Sequence, residues 1–336
     1  MNVRTLAVIA LVGLALLAAA PGVRAYLKFG IEVNKRVVAL RFKTLPVRYF
    51  VTNRDVAGVT ALQLQTATQG GFDSWAAARG VSLSSQFVGF TGTEPSVGDG
   101  INVFGFRARP ELDRTLGATT FEVDDVTGEL IEADIFLNSA FDWSVASAGD
   151  AGRFDVQSIM THELGHLHGL GHSALGETEV RPTGGRRVLG KQAVMFPIAF
   201  PAGNIDDRRP KPDDVAGLGE VYPASTFSRQ FGQMNGRVTL NGRGLFGVHL
   251  TAFNTATGEL VSGFSLDRQG TFSIGGLTPG LYVVRAEPLD DGDLTSFFDD
   301  ETEVELSFKP TYFSRIVAVP AGGAAGTSVD IKVTPK

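Results

Sequence analysis

Four of the chain's five histidines lie in the segment THELGHLHGLGHS at 161–173, and the chain contains no cysteine. His162 and His166 are four residues apart, so on a helix their imidazoles lie nearly above one another. Such a pair suits a tetrahedral zinc ion, and Gly169 lets the chain turn sharply so that His172 can return as the third ligand. Three neutral imidazoles leave a fourth position open for water, which is the pattern of a catalytic rather than a structural zinc site.

Glu163, which lies beside the histidine pair, indicates a reaction at this site. Zinc lowers the pKa of a bound water towards ~7, and Glu163 is placed to accept the proton. HExxH can arise by chance in a helix that carries histidines, but the extended H-E-x-x-H-x-x-G-x-x-H spacing is much more demanding. We therefore predict one catalytic Zn²⁺ with Glu163 as general base. His168 lies on another side of the helix and is expected to be a surface or packing residue, and the isolated His249 a structural one.

The helix that must carry these ligands is delimited by its ends. Asp155 is a good N-cap and Gly169 a good C-terminal stop, which predicts a helix over about 156–168 with its apolar stripe turned away from the ligand pair. Earlier in the chain the patterns predict a strand at 46–53, a helix at 59–80 and, after three strand-like pieces, a strand at 130–138. This order indicates one α+β domain with a mixed sheet over 46–223.

The histidine segment resembles that of the metzincin zinc endopeptidases, whose pattern is matched at His162, Glu163, His166, Gly169 and His172. These enzymes carry a methionine-containing turn downstream, which here reads AVMFP at 193–197. The resemblance implies that Met195 lies beneath the metal, and filling a gap in the core is its alternative role. Among metzincins the likeness is closest to the matrixins (matrix-metalloproteinase-like enzymes), whose turn typically reads Met-Tyr-Pro. By that likeness Phe196 and Pro197 would wall the pocket for the residue that follows the cut bond.

The matrixin resemblance also implies roles for two further segments. A helix that begins at paired aspartates matches KPDDVAGLGEVYP (211–223), so Asp214 should be buried and hydrogen-bonded near the methionine turn, with Asp213 nearer the surface. Helix N-capping is the plainer role for this pair. An edge strand before the zinc helix would bind the substrate as an added antiparallel strand. EADIFLN (132–138) takes that place, and its expected substrate contacts are Ala133, Asp134 and Ile135.

Several features depart from the matrixin pattern. Without cysteine, the cysteine-switch latency of many matrixins cannot operate, and the segment 26–45, whose role we cannot assign, is too short for a folded pro-domain. Five histidines do not suffice for the second, structural zinc of the family. The link between His172 and Met195 is longer than usual for matrixins. The extra length is either a specificity loop or a tolerated insertion. Calcium could bind at the acidic turns that contain Asp99, Asp124 and Asp125. We favour the interpretation that these are ordinary solvated turns.

The N-terminus has the anatomy of a secretory signal peptide at 1–25. Arg4 precedes an apolar run of 15 residues, and small residues precede a cut before Tyr26. Because a membrane-spanning helix needs roughly 20 apolar residues, we favour a cleaved signal over a stable membrane anchor. The product is expected to be secreted or periplasmic.

The C-terminal residues 232–336 follow a linker at 224–231 and alternate in strand style, with turn signals at the spacing of a small β-sandwich. Their text resembles the carboxypeptidase regulatory-like module, a transthyretin-like sandwich, in its TGEL, DRQGTFSI and LTPGLY elements. Such modules carry no catalytic groups, so the resemblance implies a binding or stabilising role. The predicted fold class is α+β: a metzincin catalytic domain with a mixed twisted sheet and long helices, followed by an all-β sandwich.

The net charge of −6, without any basic run, gives no reason to expect nucleic acid as a partner. The predicted function is that of a secreted zinc-dependent metalloendopeptidase, whose partner is a protein or peptide substrate bound as an extended strand. One alternative is a catalytically vestigial surface or extracellular-matrix-binding protein that uses the sandwich. Another is a zinc site that hydrolyses a different amide. The intact base and ligand set favour the endopeptidase.

Overall fold

The computed structural model describes residues 6–9, 27–33, 36–56, 58–182, 184–299 and 302–336. The predicted signal peptide at 1–25 therefore lies outside the described residues except for 6–9. Within the described ranges, no helix is both long and apolar enough to span a membrane.

Up to residue 191 the elements are, in chain order, β1 (Leu6–Ile9), β2 (Gly30–Val33), β3 (Arg36–Ala39), β4 (Val47–Thr52), α1 (Ala61–Ala76), β5 (Ser85–Thr91), β6 (Asn102–Arg107), β7 (Gly117–Asp124), β8 (Glu129–Asn138), β9 (Trp143–Ser144), β10 (Phe154–Asp155), α2 (Val156–Leu167), β11 (Gly176–Val180) and β12 (Arg186–Lys191). From residue 206 they are a 3₁₀ helix (Asp206–Arg208), α3 (Pro212–Val221), α4 (Phe227–Gln230), β13 (Gly232–Leu240), β14 (Arg243–Gly244), β15 (His249–Asn254), β16 (Leu260–Phe264), β17 (Thr271–Leu277), β18 (Gly280–Glu287), a second 3₁₀ helix (Leu294–Ser296), β19 (Thr311–Tyr312), β20 (Val317–Val319) and β21 (Val329–Val333).

A six-stranded sheet organises the first half of the chain, with the order β1-β7-β8-β6-β4-β5. The strands β4, β5, β6 and β8 are parallel, whereas β7 runs antiparallel to β8, and β1 antiparallel to β7. β8 is buried along almost its whole length, as expected of a strand with a partner on each side. The hydrophobic core of this part lies between the sheet and the helices α1 and α2.

The two helices are held at their ends and against each other. Thr60 caps α1 with a capping box, and the carboxylate of Asp155 caps α2 by accepting the backbone N–H of Ser158 at 2.8 Å. The indole N–H of Trp75 donates to the carbonyl oxygen of Thr161 at 2.9 Å. This bond fixes α1 to α2 one residue before the first histidine of the ligand pair.

The fold-class prediction of a metzincin domain with long helices is wrong. Strands account for 38% of the structure and helices for 16%, spread over several sheets. In the described part of the chain the longest helix is α1, with 16 residues. Two stretches whose conformation the sequence did not reveal are hairpins: β2–β3 within 26–45, and β11–β12 in the link after His172. At the tip of the second, Gly184 and Gly185 both have positive φ (86° and 76°), which suits a tight hairpin turn.

Residues 232–336, which we call the C-terminal module, contain two sheets. One has the order β14-β13-β17 with β21 paired to β13, and the other has the order β16-β15-β18-β19 with β20 paired to β18. Inward side chains of both sheets share one core, to which Phe272 and Ile331 contribute from one sheet and Leu250 and Val284 from the other. Ala216 of α3 belongs to the same core, so the module packs directly on the preceding helix.

The predicted linker at 224–231 contains α4. The rings of Phe227 and Phe231 lie 5.0 Å apart, and each approaches a glycine closely. A Cβ atom added at Gly219 would lie 2.3 Å from the Phe227 ring, and one added at Gly80 would lie 2.5 Å from the Phe231 ring. The segment is therefore packed against α3 and the turn after α1, which fixes the module to the rest of the chain.

Candidate metal centre

The three histidines expected to bind zinc lie together in the structure. His162, His166 and His172 each offer one ring nitrogen, and these atoms lie within 4.8 Å of one another. In the described residues no other group of three such side chains could hold a metal ion. α2 supplies the first two, and the helix ends just before Gly169, whose φ of 87° turns the chain so that the third can return.

Each of these imidazoles is held by a backbone carbonyl oxygen at its Nδ1 atom. The acceptors are Val194 for His162 (2.8 Å), Leu170 for His166 (2.8 Å) and Ser296 for His172 (2.7 Å). Because a carbonyl oxygen only accepts, each Nδ1 atom must donate, which leaves the lone pair on Nε2. A carbonyl at the second ring nitrogen is the usual support of a metal-binding histidine. The three side chains therefore fit a zinc ion.

Burial keeps the three imidazoles neutral. It lowers the pKa of His162 well below its ordinary value, that of His166 to about 3 and that of His172 to about 4. Neutral imidazole is the form that binds a metal, so no proton need be removed from these ligands at neutral pH.

Glu163 is buried beside the ligands, with 4% of its surface exposed. Burial raises its pKa to about 7, and the hydroxyl of Thr119 on β7 opposes this shift by donating to Oε2 at 2.8 Å. A carboxyl with a pKa near the working pH is suited to both accepting and returning a proton. The same residue lines the cavity in front of the three histidines.

The methionine turn lies directly under α2. Met195 is fully buried, and a Cβ atom added at Gly165 of α2 would lie 2.2 Å from its sulfur. The carboxylate of Asp214 accepts the backbone N–H of Val194 at 2.8 Å and that of Met195 at 3.0 Å. Since the carbonyl of Val194 holds His162, Asp214 supports that ligand through one residue of backbone.

Asp213 was expected nearer the surface than Asp214, and this was wrong. Asp213 is fully buried, because strand β16 of the C-terminal module covers it. It accepts the hydroxyl of Ser173, which follows the third ligand, and the backbone N–H of Ser262 at 2.6 Å. The sequence could not show this partner, because Ser262 lies 49 residues away.

The expected substrate contacts on β8 were also wrong. Ala133, Asp134 and Ile135 lie on an internal strand and are at most 1% exposed, so no added strand can pair with them. β7 forms a hairpin with β8 on the side of the ligands, so β7 takes the outer position. β1 pairs only with 121–124 of β7, and among the described residues 117–120 have no partner strand on that side.

A cavity of about 550 Å³ lies in front of the metal centre. Phe196 and Pro197 line it, and so do residues with no functional signal in the sequence: Phe29, Ile31, Ser296 and Phe297. The ring of Phe29 lies 5.5 Å from that of His166. The segment 26–45 and the C-terminal module thus both contribute walls, which local patterns could not reveal because the contacts join distant parts of the chain.

The remaining histidines and acidic turns lie apart from this centre. His168 is buried among the rings of Phe72, Trp75 and Tyr222. His249 is buried beside Glu287 in the C-terminal module. The side chains of Asp99 and Asp124, where calcium was considered, accept backbone N–H groups of their own turns, and Asp125 is exposed in the same turn as Asp124.

Comparison with known proteins returned little. No family model matches the chain, and no curated protein matches it. Among solved structures, the Bacillus anthracis TIE protein is similar over 32% of this chain and 17% of that one, with 13% identity and a TM-score of 0.21. A DUF3823 family protein from Parabacteroides merdae is similar over 32% of this chain and 47% of that one, with 20% identity and a TM-score of 0.20. TM-scores this low do not bear on the fold or function of the chain.

Proposed function

We propose that this chain is an exported zinc-dependent metalloendopeptidase. The observation that carries the proposal is the convergence of three neutral, carbonyl-anchored histidines beside a buried glutamate. The motif's resemblance to metzincins of the matrixin type supports the same function. The predicted signal peptide at 1–25 supports export to the periplasm or the medium.

The residues divide the work of hydrolysis between them. A zinc ion on the three histidines would supply Lewis acidity, polarising the scissile carbonyl and lowering the pKa of water. Glu163 accepts the proton of the attacking water and passes it to the leaving amine. Thr119 holds the carboxylate of Glu163 in place through its 2.8 Å bond, and the surrounding apolar burial keeps the pKa of that carboxyl near 7.

The substrate is proposed to be an extended peptide that pairs with β7. This strand is antiparallel, and its residues 117–120 lack a partner on the outer side among the described residues. Thr119, from the same stretch, contacts the general base, so a peptide paired there would run past the reacting groups. Main-chain pairing supplies affinity, and Phe196 and Pro197 offer an apolar wall for one side chain. Loss of residues 1–25 would remove β1 and free the rest of the edge.

A second function, that of a vestigial surface or matrix-binding protein, rests only on the sandwich-like module. A decayed site would be expected to have lost a ligand, the base or their supports, and none of these is missing here. A peptidase assay separates the two functions. We expect the chain without residues 1–25 to cut casein or members of a peptide library. This cleavage should stop when a chelator is added and recover when Zn²⁺ is restored. Absence of any chelator-sensitive cleavage would favour the binding protein. Cleavage of non-peptide amides alone would favour the alternative of a zinc site that hydrolyses a different amide.

A further inference from the structure

The loop at 290–298, between β18 and β19, leaves its sheet and reaches the metal centre. From it, Asp293, Ser296 and Phe297 line the cavity in front of the histidines. We propose that the C-terminal module is required for an intact metal centre, because it sets the position of the third ligand, His172, through the Ser296 carbonyl. This inference rests on the zinc binding of the proposed function.

The first contact distinguishes His172 from its two partners. The Nδ1 atom of His166 donates to Leu170, four residues on, and that of His162 donates to Val194 of the methionine turn, so both acceptors precede the C-terminal module. The Nδ1 atom of His172 donates at 2.7 Å to Ser296, which is 124 residues away in the C-terminal module. Ser296 closes a 3₁₀ helix, and the next residue, Phe297, is 1% exposed with its ring 6.5 Å from that of His172. The acceptor is therefore held by packing.

A second contact holds the residue after the third ligand. Asp213 binds the hydroxyl of Ser173 with one oxygen and the backbone N–H of Ser262 with the other. All three side chains are buried. Strand β16 of the module thus fixes the chain immediately beyond His172, independently of the loop at 290–298.

A third contact holds the hairpin β11–β12, which lies between the last ligand and the methionine turn. The backbone N–H of Thr178 donates to the Asp291 carboxylate at 2.8 Å, and its hydroxyl donates to the Asp291 carbonyl at 2.7 Å. Arg186 forms an ion pair with Asp293 at 3.5 Å. The stretch from His172 to the start of β12 is therefore tied to the module at several points.

The third ligand needs this support because it lies beyond the helix. Helical hydrogen bonds fix the backbone of His162 and His166, whereas His172 lies in the irregular segment between α2 and β11. A hydrogen bond to the distal ring nitrogen sets both the tautomer and the ring orientation of a metal ligand. Loss of such a partner typically weakens metal binding by about 10–100-fold.

The experiment compares two full-length variants that loosen different loops of the module. In one, Leu294→Gly, Thr295→Gly and Ser296→Gly loosen the 3₁₀ helix that presents the acceptor. In the matched control, Thr255→Gly, Ala256→Gly and Thr257→Gly loosen the exposed turn between β15 and β16. The Kd for Zn²⁺ is measured by competition with a chromogenic chelator. We expect about 10-fold weaker binding or more in the first variant and no change in the control.

A second measurement separates loss of this one hydrogen bond from general misfolding, because the Nδ1 protons of His162 and His166 report on the rest of the centre. In the zinc-loaded chain, ¹⁵N NMR should show the Nδ1 protons of all three ligands protected from solvent exchange. In the loop variant, only that of His172 should lose protection. An unchanged Kd together with a protected His172 proton in the loop variant would overturn the inference and leave the proposed function intact. A wild-type chain that binds no Zn²⁺ would instead overturn both.

Discussion

At the scale of single residues, the partner of Nδ1 separates the ligands from the other histidine of the same segment. Each ligand donates from Nδ1 to a carbonyl oxygen, whereas the buried Nδ1 atom of His168 has no hydrogen bond of normal geometry to any residue that the structure describes. Burial lowers the pKa of His168 to about 3, so this ring is neutral and serves as an aromatic packing group. The spacing in the sequence predicted the three ligands, but it left open whether His168 lies at the surface or in the core.

Thr119→Val tests the environment of the general base. The lost hydroxyl stabilises the ionised carboxylate, so its removal should raise the pKa of Glu163 above about 7. A hydrogen bond to a charged group is worth about 1.5–3 kcal/mol, so the acid limb of the pH profile of kcat/KM should move up by about one to two pH units. Thr120→Val, one residue along the same strand, is the control and should leave the limb in place. An unmoved limb in the first variant would contradict the assigned role.

Asp134→Asn tests the protonation state of a buried carboxyl on the internal strand β8. Burial, together with the neighbouring Glu132 and Asp99, raises its pKa to about 8. Because the folded-state pKa lies above that of the unfolded chain, this group's contribution to stability is complete below about pH 4 and is lost as the pH rises through 8. In metal-free protein, the variant should flatten the fall in unfolding free energy between pH 5 and 8, measured with urea. Asp125→Asn, in an exposed turn, should keep the wild-type slope. A wild-type slope in Asp134→Asn would show that the carboxyl is not protonated in the fold.

At the scale of elements, the centre depends on how closely α2 lies on the methionine turn. Gly165 permits that approach, because any Cβ atom there would overlap the sulfur of Met195 and contact Trp75 at 3.0 Å. Met195 is fully buried, so any shift of its side chain would have to displace neighbours in the core. The methionine turn also presents the Val194 carbonyl that holds His162. Packing and ligand orientation are thus set by one contact.

Gly165→Ala should separate these two elements. Overpacking costs typically about 1–3 kcal/mol, which exceeds the gain of about 1 kcal/mol from alanine in a helix. Gly70→Ala in α1 is the control, since its Cβ atom would meet only the flexible end of Gln157. We expect denaturant unfolding to show a destabilised Gly165 variant with weaker Zn²⁺ binding, and a control as stable as the wild type or more so. Equal stability of the two variants would argue against the close packing.

Local sequence patterns predicted some elements correctly and missed others. The helix predicted at 156–168 corresponds to Val156–Leu167, because a cap and an apolar stripe are local signals. The edge of the sheet was assigned to the wrong strand, because β7 and β8 both read as strands and only their pairing decides which one lies outside. The hairpin β11–β12 was left unassigned, since its polar, exposed strands resemble a loop in composition.

At the scale of the whole molecule, the C-terminal module and the metal centre form one structure. The sequence predicted a separate sandwich without catalytic groups, and nothing in its text pointed to the carbonyl of Ser296. A backbone acceptor carries no sequence signal, and the bond to His172 joins residues 124 apart. The same holds for the segment 26–45, whose Phe29 lies against His166. Such contacts follow from the packing of distant elements and are visible only in three dimensions.

The central claim is that zinc and Glu163 together hydrolyse peptide bonds in this cavity. The most direct test measures bound zinc and peptide cleavage in the same samples of wild type and Glu163→Ala. Both proteins should hold one Zn²⁺ per chain, because Glu163 is not a ligand. The variant should lose cleavage by about 10²–10⁴-fold, the usual contribution of a general acid–base group. Near-wild-type cleavage by a zinc-loaded Glu163→Ala protein would contradict the account.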